Sequence, residues 1–511
     1  MGIINNIKNR FAKGRKSSYK RGYAAAQRRA RFADFRTSRG TADYELRQAL
    51  PIVRAKSRWL ARNSSSMKRF LWLLKINVIG KKGFMFKSRV KQRDGEADES
   101  LNKRVEMAWK KWCRRPSVEG RLSMTALLHQ RIATLARDGE AVWEIVFNPR
   151  YHDGISLNPL EADYLDVTLN TIYTGNGNEI RMGVEVDRFN RPVAYHLLTR
   201  HPGDVSWVPH NSRRRYRRVP AELIIHTYLQ DRAGQTRGEP WASTVVNSVK
   251  MLDGYREAET VGRRLRSAIM GFFKKMMPQP QGIEEMADGY EESDQTFEMS
   301  IEPGMLKEMP TGYEFDKFDP GGSQTDYAQF ESQIKTDIAM GLNISVVSHG
   351  METKQISYSS HRGVIMEDRD FYRCLQEFII DMDMETIFPI WLKMHMVQDD
   401  SVIPPTRFDA IVDAATFRGR GWSWVDPRNE VTANVSALQT KQTSLTAIAA
   451  ERGMDIDDLL DEIEDEQLKA ENRGLTLDYN ITKGNVSNSE SNNGNNSTSD
   501  ATTDSDDNTD E

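Results

Sequence analysis

The sequence is poor in cysteine and lacks long apolar runs. Only Cys113 and Cys374 occur in 511 residues, without CxxC spacing, which excludes a disulfide scaffold and favours a reducing compartment. No stretch approaches the ~18 to 20 consecutive apolar residues of a membrane span, and no apolar signal segment follows the N-terminal cations. We therefore expect a soluble intracellular protein that does not bind a membrane.

Signatures of common catalytic sites are also missing. The chain has no GxxxxGK(S/T) phosphate loop, no HExxH helix and no GxSxG turn. The nine histidines are scattered, and an isolated one in an apolar strand, such as His226, is typical of a structural residue. Asp381 and Asp383 lie two positions apart on a predicted helix, so they do not share a face. We predict a protein that is not an enzyme, with no metal site and no cofactor.

A net charge of −2 hides a strong asymmetry along the chain. Residues 1–93 contain 26 Lys and Arg but 3 Asp and Glu, and the first 40 residues hold 12 of these cations with one acid. This pattern predicts a basic N-terminal arm. The arm is either a solvated charge run or a contact for a polyanion such as nucleic acid, because phosphates attract cations without a sequence code.

Helical and extended patterns alternate through the first half of the chain. Helices are predicted at residues 44–63 and 121–137, the second ended by Asp138 and Gly139. The predicted strands are residues 141–147, 165–169, 180–186, 193–198 and 223–228, with 187–190 as a hairpin turn. Helix, mixed strands and further helices in this order indicate an α+β fold.

The most regular helical pattern covers residues 244–277. Apolar residues from Leu252 to Met276 recur every three or four positions, which predicts a helix of about 50 Å at ~1.5 Å per residue. A cationic stripe on another face consists of Arg256, Arg263, Arg266 and Lys274. Further helices are predicted at 327–340 and from 359 onward, separated by a polar loop at 342–357. In the later helix Phe371, Leu375, Phe378 and Met382 mark a buried face, and Pro389 is expected to kink or end it.

Two segments are strongly acidic. Residues 281–302 contain eight acids and no Lys or Arg, so they form a solvated loop or a docking surface rather than core. After predicted helices at 429–452 and 456–472, residues 485–511 contain seven acids, no base and no aromatic residue. Such a tail cannot bury enough surface to fold, so we expect it to be disordered.

Short motifs recur in a fixed order from about residue 44 to residue 477. In chain order they are Arg54-Ala55-Lys56-Ser57-Arg58 with Asn63, Asn77-Val78-Ile79-Gly80, Trp109 to Trp112, Asp138-Gly139-Glu140, Gly183 to Asp187, Arg191 to Leu197, His201-Pro202-Gly203, Gly234-Gln235, Arg237-Gly238 with Pro240, Tyr255 with Ala258, Pro303-Gly304 with Leu306 and Gly312, Ile338-Ala339 with Gly341, Tyr358-Ser359-Ser360 with Arg362, and Trp424 with Asp426-Pro427. Each is weak alone, but their order resembles the lambda-type portal proteins of tailed bacteriophages. The basic arm and the acidic tail lie outside this resemblance.

The resemblance implies a portal-type fold with named parts. These are a basic arm (1–43), an α+β wing (44–243), a stem helix (244–280), a clip (281–320), a second stem helix (321–341), a channel loop (342–357), a long helix returning to the wing (358–423), a helical crown (424–477) and a disordered acidic tail (478–511). It also implies a homo-oligomeric ring, typically of twelve subunits, at one capsid vertex of the virion and in the host cytoplasm during assembly.

The implied function is DNA packaging and ejection through the ring, which also nucleates procapsid assembly and connects head to tail. The implied partners are double-stranded DNA bound without sequence preference, the terminase large subunit, a head-completion or adaptor protein, and the major capsid and scaffold proteins. Two other readings stay open from the residues alone. One is a non-portal nucleic-acid-binding protein that uses the basic N-terminal region, and the other is a nucleic-acid-processing enzyme with a carboxylate metal site.

Three groups of residues are candidate sites within this frame. His349, Lys354 and Gln355 are predicted to lie near DNA in the channel loop, unless it is an ordinary surface loop. The stem cations Arg256, Arg263, Arg266 and Lys274 either face DNA or pair with acids of a neighbouring subunit. We favour pairing, because a ring of such rows would hold phosphate too tightly for a conduit. The acids Glu284, Glu285, Asp288, Glu291 and Glu292 are predicted to dock terminase or an adaptor, since complementary charge speeds encounter.

Overall fold

A computed structural model describes ten parts of the chain and divides it into two compact units. The described residues are 39–92, 94–172, 174–204, 215–268, 272–275, 313–316, 324–350, 357–398, 403–422 and 427–475. The first unit extends to Pro427 and the second begins at Arg428. Residues 1–38 of the basic arm, almost all of the clip, residues 351–356 of the channel loop and the acidic tail lie outside the described residues.

Helices α1 to α4 form most of the first part of the chain. They are α1 (Ala42–Asn63), α2 (Ser65–Leu74, followed by a π-helical turn Lys75–Ile79), α3 (Glu99–Trp112) and α4 (Met124–Asp138). The Thr41 hydroxyl accepts a hydrogen bond from the Tyr44 N–H at the start of α1, and Ser123 caps α4 in the same way through Ala126. Gly139 ends α4 in the left-handed conformation, at φ 89°, as its position after Asp138 predicts.

Eleven described strands form four small sheets. Their bounds are β1 (Met85–Ser88), β2 (Glu140–Phe147), β3 (Ile155–Leu160), β4 (Glu179–Arg181), β5 (Val184–Val186), β6 (Pro192–Leu198), β7 (Tyr216–Pro220), β8 (Ile224–Tyr228), β9 (Phe272–Lys275), β10 (Tyr313–Asp316) and β11 (Ala415–Arg418). The sheet orders are β3-β2-β8, β4-β5-β6-β7, β1-β11 and β9-β10, and every pair of named strands is antiparallel.

Helix α5 (Val246–Ala268) is shorter than the sequence pattern predicts. The prediction of one helix through residue 277 was wrong, because Phe272–Lys275 is strand β9 and pairs with β10, Tyr313–Asp316. Aromatic residues favour the extended backbone once a partner strand is available, and that partner lies far along the chain. At ~1.5 Å per residue, α5 is about 35 Å long.

Helix α6 (Gln324–Gly341) agrees with its prediction, but the segment that follows does not. A short helix α7 (Val346–Gly350) occupies part of the predicted loop 342–357. Helix α8 (Tyr358–Ile379) then runs through a π-helical turn (Ile380–Met384) into α9 (Glu385–Gln398), so Pro389 does not end the helix. Met382 is 40% exposed and does not belong to the buried face assigned to it. Helix α10 (Phe408–Asp413) precedes β11.

The second unit is helical in its described part. Its helices are α11 (Pro427–Gln439, which begins at the unit boundary), α12 (Leu445–Glu451) and α13 (Ile456–Glu471). The predicted helix 429–452 is therefore two helices, separated by a turn in which Lys441 has a φ of 59°. Asp455 caps α13 by accepting a hydrogen bond from the Asp457 N–H, 3.0 Å away.

An aromatic core joins the helices of the first unit to β1 and β11. The Trp109 ring lies 4.9 Å from Trp391, and Phe86 lies 4.7 Å from Phe388 and 5.1 Å from Phe417, measured between ring centroids. A second, smaller core lies between β2 and the four-stranded sheet, around Val142 and Leu197. The α+β prediction is confirmed. The predicted strand 165–169 is wrong, since Leu165 forms only an isolated bridge to Leu197.

Candidate functional site

The largest concentration of buried charge surrounds Glu140, the first residue of β2. Its carboxylate accepts a hydrogen bond from Arg54 at 2.6 Å and one from Arg237 Nε at 2.8 Å. It also pairs with His226 Nε2 at 3.0 Å and accepts one from the Gly238 N–H at 3.2 Å. Burial alone would raise the pKa of Glu140, but the two guanidinium groups hold it well below its ordinary value. Glu140 is therefore a buried carboxylate that stays charged.

Arg237 connects Glu140 to two neighbouring segments, residues 162–165 and the turn at Met182. Its guanidinium donates to the backbone carbonyls of Ala162 at 3.2 Å, Leu165 at 3.2 Å and Met182 at 2.6 Å. Met182 has a φ of 48°, which is unusual for this residue type. The contact with Arg237 thus helps to fix the strained turn between β4 and β5.

Two further carboxylates, Asp138 and Asp163, lie next to Glu140 and contact the same helix, α1. Arg58 donates to Asp138 at 2.8 Å and also pairs with Asp163. Arg54 donates from Nε to the Asp138 carbonyl oxygen at 3.1 Å. Burial would raise the pKa of both aspartates, but Arg137 and then Arg58 keep the pKa of Asp138 lowered, and Arg58 and then Arg54 keep that of Asp163 lowered. We name Arg54, Arg58, Asp138, Glu140, Asp163, His226 and Arg237 the Glu140 cluster.

Two glycines allow the backbones around Glu140 to meet. A Cβ atom on Gly139 would lie 2.3 Å from the Glu239 carbonyl carbon, and one on Gly238 would lie 2.1 Å from the Gly139 oxygen. Both distances are far below any normal contact, and Gly139 also has a positive φ. Glycine is therefore required at both positions for the segment before β2 to pack on the segment after β8.

A separate buried ion pair joins α4 to the π-helical turn after α8. Arg131 donates to Asp383 from Nε at 2.6 Å and from a terminal nitrogen at 2.8 Å, and both side chains are fully buried. The Thr227 hydroxyl of β8 donates to the same carboxylate at 2.6 Å, and the Arg131 guanidinium lies 4.1 Å from the Trp143 ring centroid. Asp383 is thus buried and Asp381 exposed, so the prediction that the two do not share a face is confirmed.

The structural interpretation of His226 is also confirmed. The ring is buried, and Nε2 lies 3.0 Å from Glu140. Burial lowers the pKa of His226, despite the opposing attraction of the carboxylate. A neutral ring that donates to a charged carboxylate satisfies both groups without a ligand.

One set of described residues has the spacing of metal ligands, namely Glu161, Asp163 and His201. The Gly203 N–H donates to His201 Nδ1 at 3.1 Å, so the neutral ring carries its proton on Nε2. That nitrogen lies 3.1 Å from Glu161, and Arg58 already pairs with Asp163. His201 Nε2 is buried without a hydrogen-bond partner among the described residues, so its contact with Glu161 is a close approach rather than a hydrogen bond.

The Glu140 cluster was missed as a site, although three of the sequence motifs contain its residues. Arg54 and Arg58, Asp138 and Glu140, and Arg237 come from separate motifs, and the fold brings them together. A signal exists in α1, where Arg54 and Ser57 continue the buried spacing of Leu46 and Leu50. A cation at a core position of an amphipathic helix predicts a buried partner.

The structure corrects the prediction for His349. It lies in α7, is 8% exposed, and contacts the Ser66 hydroxyl of α2 at 3.0 Å and the Ser66 carbonyl oxygen at 3.1 Å. Burial lowers its pKa. His349 is thus packed against α2 from a short helix rather than held in an open loop. Lys354 and Gln355 lie outside the described residues.

The stem cations have partners inside their own chain where their side chains are described. Arg256 donates to Glu331 of α6 at 2.6 Å, and Arg263 donates to Glu259 of α5 at 2.9 Å. The Arg263 guanidinium also lies 5.3 Å from the Tyr327 ring centroid. The side chain of Arg266 lies outside the described residues. So does that of Lys274, which is on β9 rather than on the helical stripe.

The clip acids Glu284, Glu285, Asp288, Glu291 and Glu292 lie outside the described residues. The strands that flank the clip are described, and β9 and β10 pair in the register Phe272 to Asp316 and Lys275 to Tyr313. Lys275 and Tyr313 therefore lie opposite each other across this pair of strands. In the part of the chain that the structure describes, no helix is long and apolar enough to cross a bilayer.

Comparison with protein families decides the identity of this α+β chain. The model for "Phage portal protein, lambda family" matches residues 28–376. The chain belongs to this family. A "Probable portal protein" of Halomonas phage phiHAP-1 is 32% identical over 451 residues, which cover 87% of this chain and 85% of the relative. This portal protein is thus a structural component of the virion.

A more distant relative is also described as a portal protein. "Portal protein B" of Escherichia phage lambda is 20% identical over 404 residues, covering 71% of this chain and 73% of that protein. A solved chain described as "Neck of native GTA particle computed with C12 symmetry" aligns with a TM-score of 0.45 at 11% identity. That alignment covers 80% of this chain and 99% of the other.

Proposed function

We propose that this portal protein forms a closed homo-oligomeric ring, of about twelve copies, at one capsid vertex of a tailed phage. The observation that supports the ring best is the antiparallel pair α5–α6. Arg256 and Glu331 join the two helices at 2.6 Å, and Tyr255 stacks on Tyr327 at 5.5 Å between centroids. Each copy would contribute one such stem pair to the wall of a channel.

The parts of the portal fold follow from this assignment. Residues 44–243 form the wing, α5 and α6 the stem, 281–320 the clip and 424–477 the crown. Strands β9 and β10 then connect the stem to the clip, so Phe272–Lys275 is part of this junction rather than of the stem helix. The basic arm 1–43 and the acidic tail 478–511 are appendages to these parts.

The proposed role of the ring is to conduct double-stranded DNA during packaging and ejection. A conduit must touch DNA without holding it, because each phosphate neutralised by a fixed cation adds affinity. Two described stem cations, Arg256 and Arg263, are neutralised within the chain. This supports a channel wall with little free positive charge, with Lys354 and Gln355 as candidate DNA contacts at the channel loop.

The clip acids are the proposed docking surface for basic regions of the terminase large subunit and of a head-completion or adaptor protein. Replacing Glu284, Glu285, Glu291 and Glu292 by Gln is expected to weaken terminase binding at least tenfold while rings still form. A matched control replaces Asp504, Asp506, Asp507 and Asp510 of the tail by Asn, which removes the same charge elsewhere. Equal binding by the clip variant and the unaltered chain would refute the docking proposal.

The basic arm is the proposed contact for scaffold, major capsid protein or packaged DNA, reached in the host cytoplasm during procapsid assembly. Deletion of residues 1–39 is expected to reduce incorporation into procapsids or the retention of DNA. The tail deletion 478–511 serves as a control of similar length and opposite charge. If the arm deletion leaves both quantities unchanged, the arm has no such role.

The ring itself has the most direct test. Native mass measurement and electron micrographs of the purified chain are expected to show closed rings of one subunit number. A chain that stays a single copy under every assembly condition would contradict the proposed function.

A further inference from the structure

Four large apolar side chains of the stem pair remain exposed. Met251 and Val261 of α5 are 65% and 47% exposed, and Phe330 and Met340 of α6 are 45% and 70% exposed. The charged groups between the helices are satisfied inside the chain, since Glu331 accepts from both Arg256 and Lys335. What the stem pair presents outward at these four positions is therefore apolar rather than ionic.

These side chains lie on the two outward sides of the pair. Tyr255 and Arg256 mark the side of α5 that faces α6, because they contact Phe330 and Glu331. At about 100° per residue, Val261 lies opposite that side and Met251 about 100° from it. Met340 likewise lies on the side of α6 turned away from α5. Phe330 contacts Tyr255 and stays partly open beside it.

Contacts within the pair fix the relative heights of all four. Thr244 donates to the Gly341 carbonyl oxygen at 3.3 Å, Tyr255 lies 4.7 Å from Phe330 between ring centroids, and Arg256 pairs with Glu331. Because the helices are antiparallel, Met340 lies level with residue 246 of α5 and Phe330 level with residue 256.

The four side chains therefore alternate between the two helices at levels 246, 251, 256 and 261 of α5. The step is five residues, or about 7.5 Å. Rotation about an axis along the stem leaves every residue at its own height. We propose that α5 of one copy packs against α6 of the next, with Met340, Met251, Phe330 and Val261 interleaved at the interface. This inference rests on the proposed ring and names the surface by which neighbouring copies meet.

The space at the Phe330 level supports this arrangement. Gly254 and Ala258 of α5 flank level 256 on the outward side, and a Cβ atom built on Gly254 meets nothing within 4 Å. Small residues beside the position of a large ring leave a recess that the neighbour's Phe330 fills. The surface thus fits a second copy of this chain at matching height, as a heterologous ring contact requires.

A paired-cysteine experiment tests the register. Gly254→Cys and Gln333→Cys are combined in a Cys374→Ser background, which removes the exposed native thiol, while burial raises the pKa of the remaining Cys113 thiol. Within one chain the new thiols lie on opposite outward sides of the pair, too far apart for a disulfide. Between neighbours they are level, so mild oxidation is expected to give a ladder of covalent multimers on a non-reducing gel.

The matched control combines Gly254→Cys with Met340→Cys. These positions use the same two sides of the stem but lie about 12 Å apart in height, so a ladder is not expected. The proposed packing would be overturned if closed rings gave no Gly254–Gln333 ladder, or if the control gave the same ladder. Neither outcome would contradict the proposed ring. Absence of rings in the unaltered chain would instead overturn the proposed function.

A second variant tests the energetics of the surface. Val261→Asp is expected to raise the subunit concentration at half-assembly at least tenfold, because a carboxylate would be buried without a partner. Val261→Met keeps the apolar contact and is expected to assemble like the unaltered chain. Unchanged assembly of Val261→Asp, measured by light scattering, would exclude Val261 from the interface.

Discussion

The wing and the stem each contain an Arg–Glu ion pair, but the pair in the wing is buried and the pair in the stem is partly exposed. In the wing, Arg54 and Glu140 are 2% and 0% exposed and pair at 2.6 Å. In the stem, Arg256 and Glu331 also pair at 2.6 Å but are 33% and 18% exposed. Breaking a buried pair leaves an uncompensated charge, whereas water and salt replace much of an exposed one. At equal distance, burial is therefore expected to decide how much free energy of unfolding is lost when one partner is removed.

The buried Glu140 cluster and the partly exposed stem pair also have different structural roles. The Glu140 cluster joins α1, β2, the β4–β5 turn and the segment after β8 into one body. In the stem pair, Arg256 and Arg263 are paired within the chain, and Met251, Val261, Phe330 and Met340 are exposed. A rigid wing and a stem available to neighbouring copies suit a subunit that must keep its shape while it assembles.

Removing the buried carboxylate should have the largest effect. Glu140→Ala is expected to lower the free energy of unfolding by about 3 to 5 kcal/mol, because Arg54 and Arg237 lose their shared partner. Denaturant unfolding at pH 7 measures the change. Glu45→Ala is the control, since its pair with Arg232 is exposed on both sides. A loss below about 1 kcal/mol for Glu140→Ala would remove the distinction between wing and stem.

Breaking the buried Arg131–Asp383 pair should have the second-largest effect on the free energy of unfolding. Asp383→Asn is expected to cost about 2 to 4 kcal/mol, because Arg131 stays buried while the charge opposite it disappears. The same unfolding measurement applies. Asp370→Asn provides the control, since its partner Arg373 lies at the surface. If both variants lost similar free energies of unfolding, burial would not be the reason for the cost of breaking the Arg131–Asp383 pair.

Disturbing the close backbone packing beside Glu140 should have the next-largest effect on the free energy of unfolding. Gly139→Ala is expected to cost about 2 kcal/mol or more, because the residue has φ 89° and its Cβ would overlap Glu239. Gly177→Ala is the matched control, since it has φ 78° and open space around the added atom. The control should show only the conformational cost, about 1 to 2 kcal/mol. Equal losses would mean that the close approach of the two segments is unimportant.

Acidification should weaken the wing through His226. Its pKa is lowered in the folded chain from an ordinary value of 6.5, so the unfolded chain binds the proton first as the pH falls. The associated stability is present above pH 6.5 and declines toward the folded pKa, by at most about 1.4 kcal/mol per pH unit. His226→Gln is expected to reduce the slope of the unfolding free energy against pH, measured between pH 7.5 and 5.5. An unchanged slope would assign the decline to other groups.

The smallest effect is expected in the stem. A double-mutant cycle with Arg256→Gln and Glu331→Gln should give a coupling free energy below about 1 kcal/mol, since both groups are partly exposed. The coupling should decrease further at high salt. A coupling as large as that of the wing pair would show that the stem relies on charge, contrary to the apolar interface proposed for it.

Local patterns predicted several features correctly. The end of α4 at Gly139 follows from glycine's access to positive φ, and Asp381 and Asp383 diverge as their spacing predicts, with Asp381 exposed and Asp383 buried. The hairpin of β5 and β6 also forms around the predicted turn, where Asp187 accepts a hydrogen bond from the Phe189 N–H at 2.8 Å. Each of these depends on residues close together in the chain.

Long-range contacts account for the features that the patterns did not predict. Residues 272–275 continue the helical spacing of α5, yet they pair with β10 about forty positions later. His349 lies in a polar segment typical of a loop, yet Ser66 of α2 and the Asp368 contacts of Ser345 and Ser348 hold that segment in place. The Glu140 cluster joins Arg54 to residues 86 positions away. No local periodicity contains that information.

Composition, periodicity and motif order determined the α+β class, most helix positions and the relation to portal proteins, because these depend on short-range geometry and on residue order. Only the tertiary structure decided that Arg54, Glu140 and Arg237 share one buried site and that Arg256 is neutralised within its own chain. The physical reason is that a charge acquires its role from its surroundings, and those surroundings are supplied by distant segments that meet only after folding.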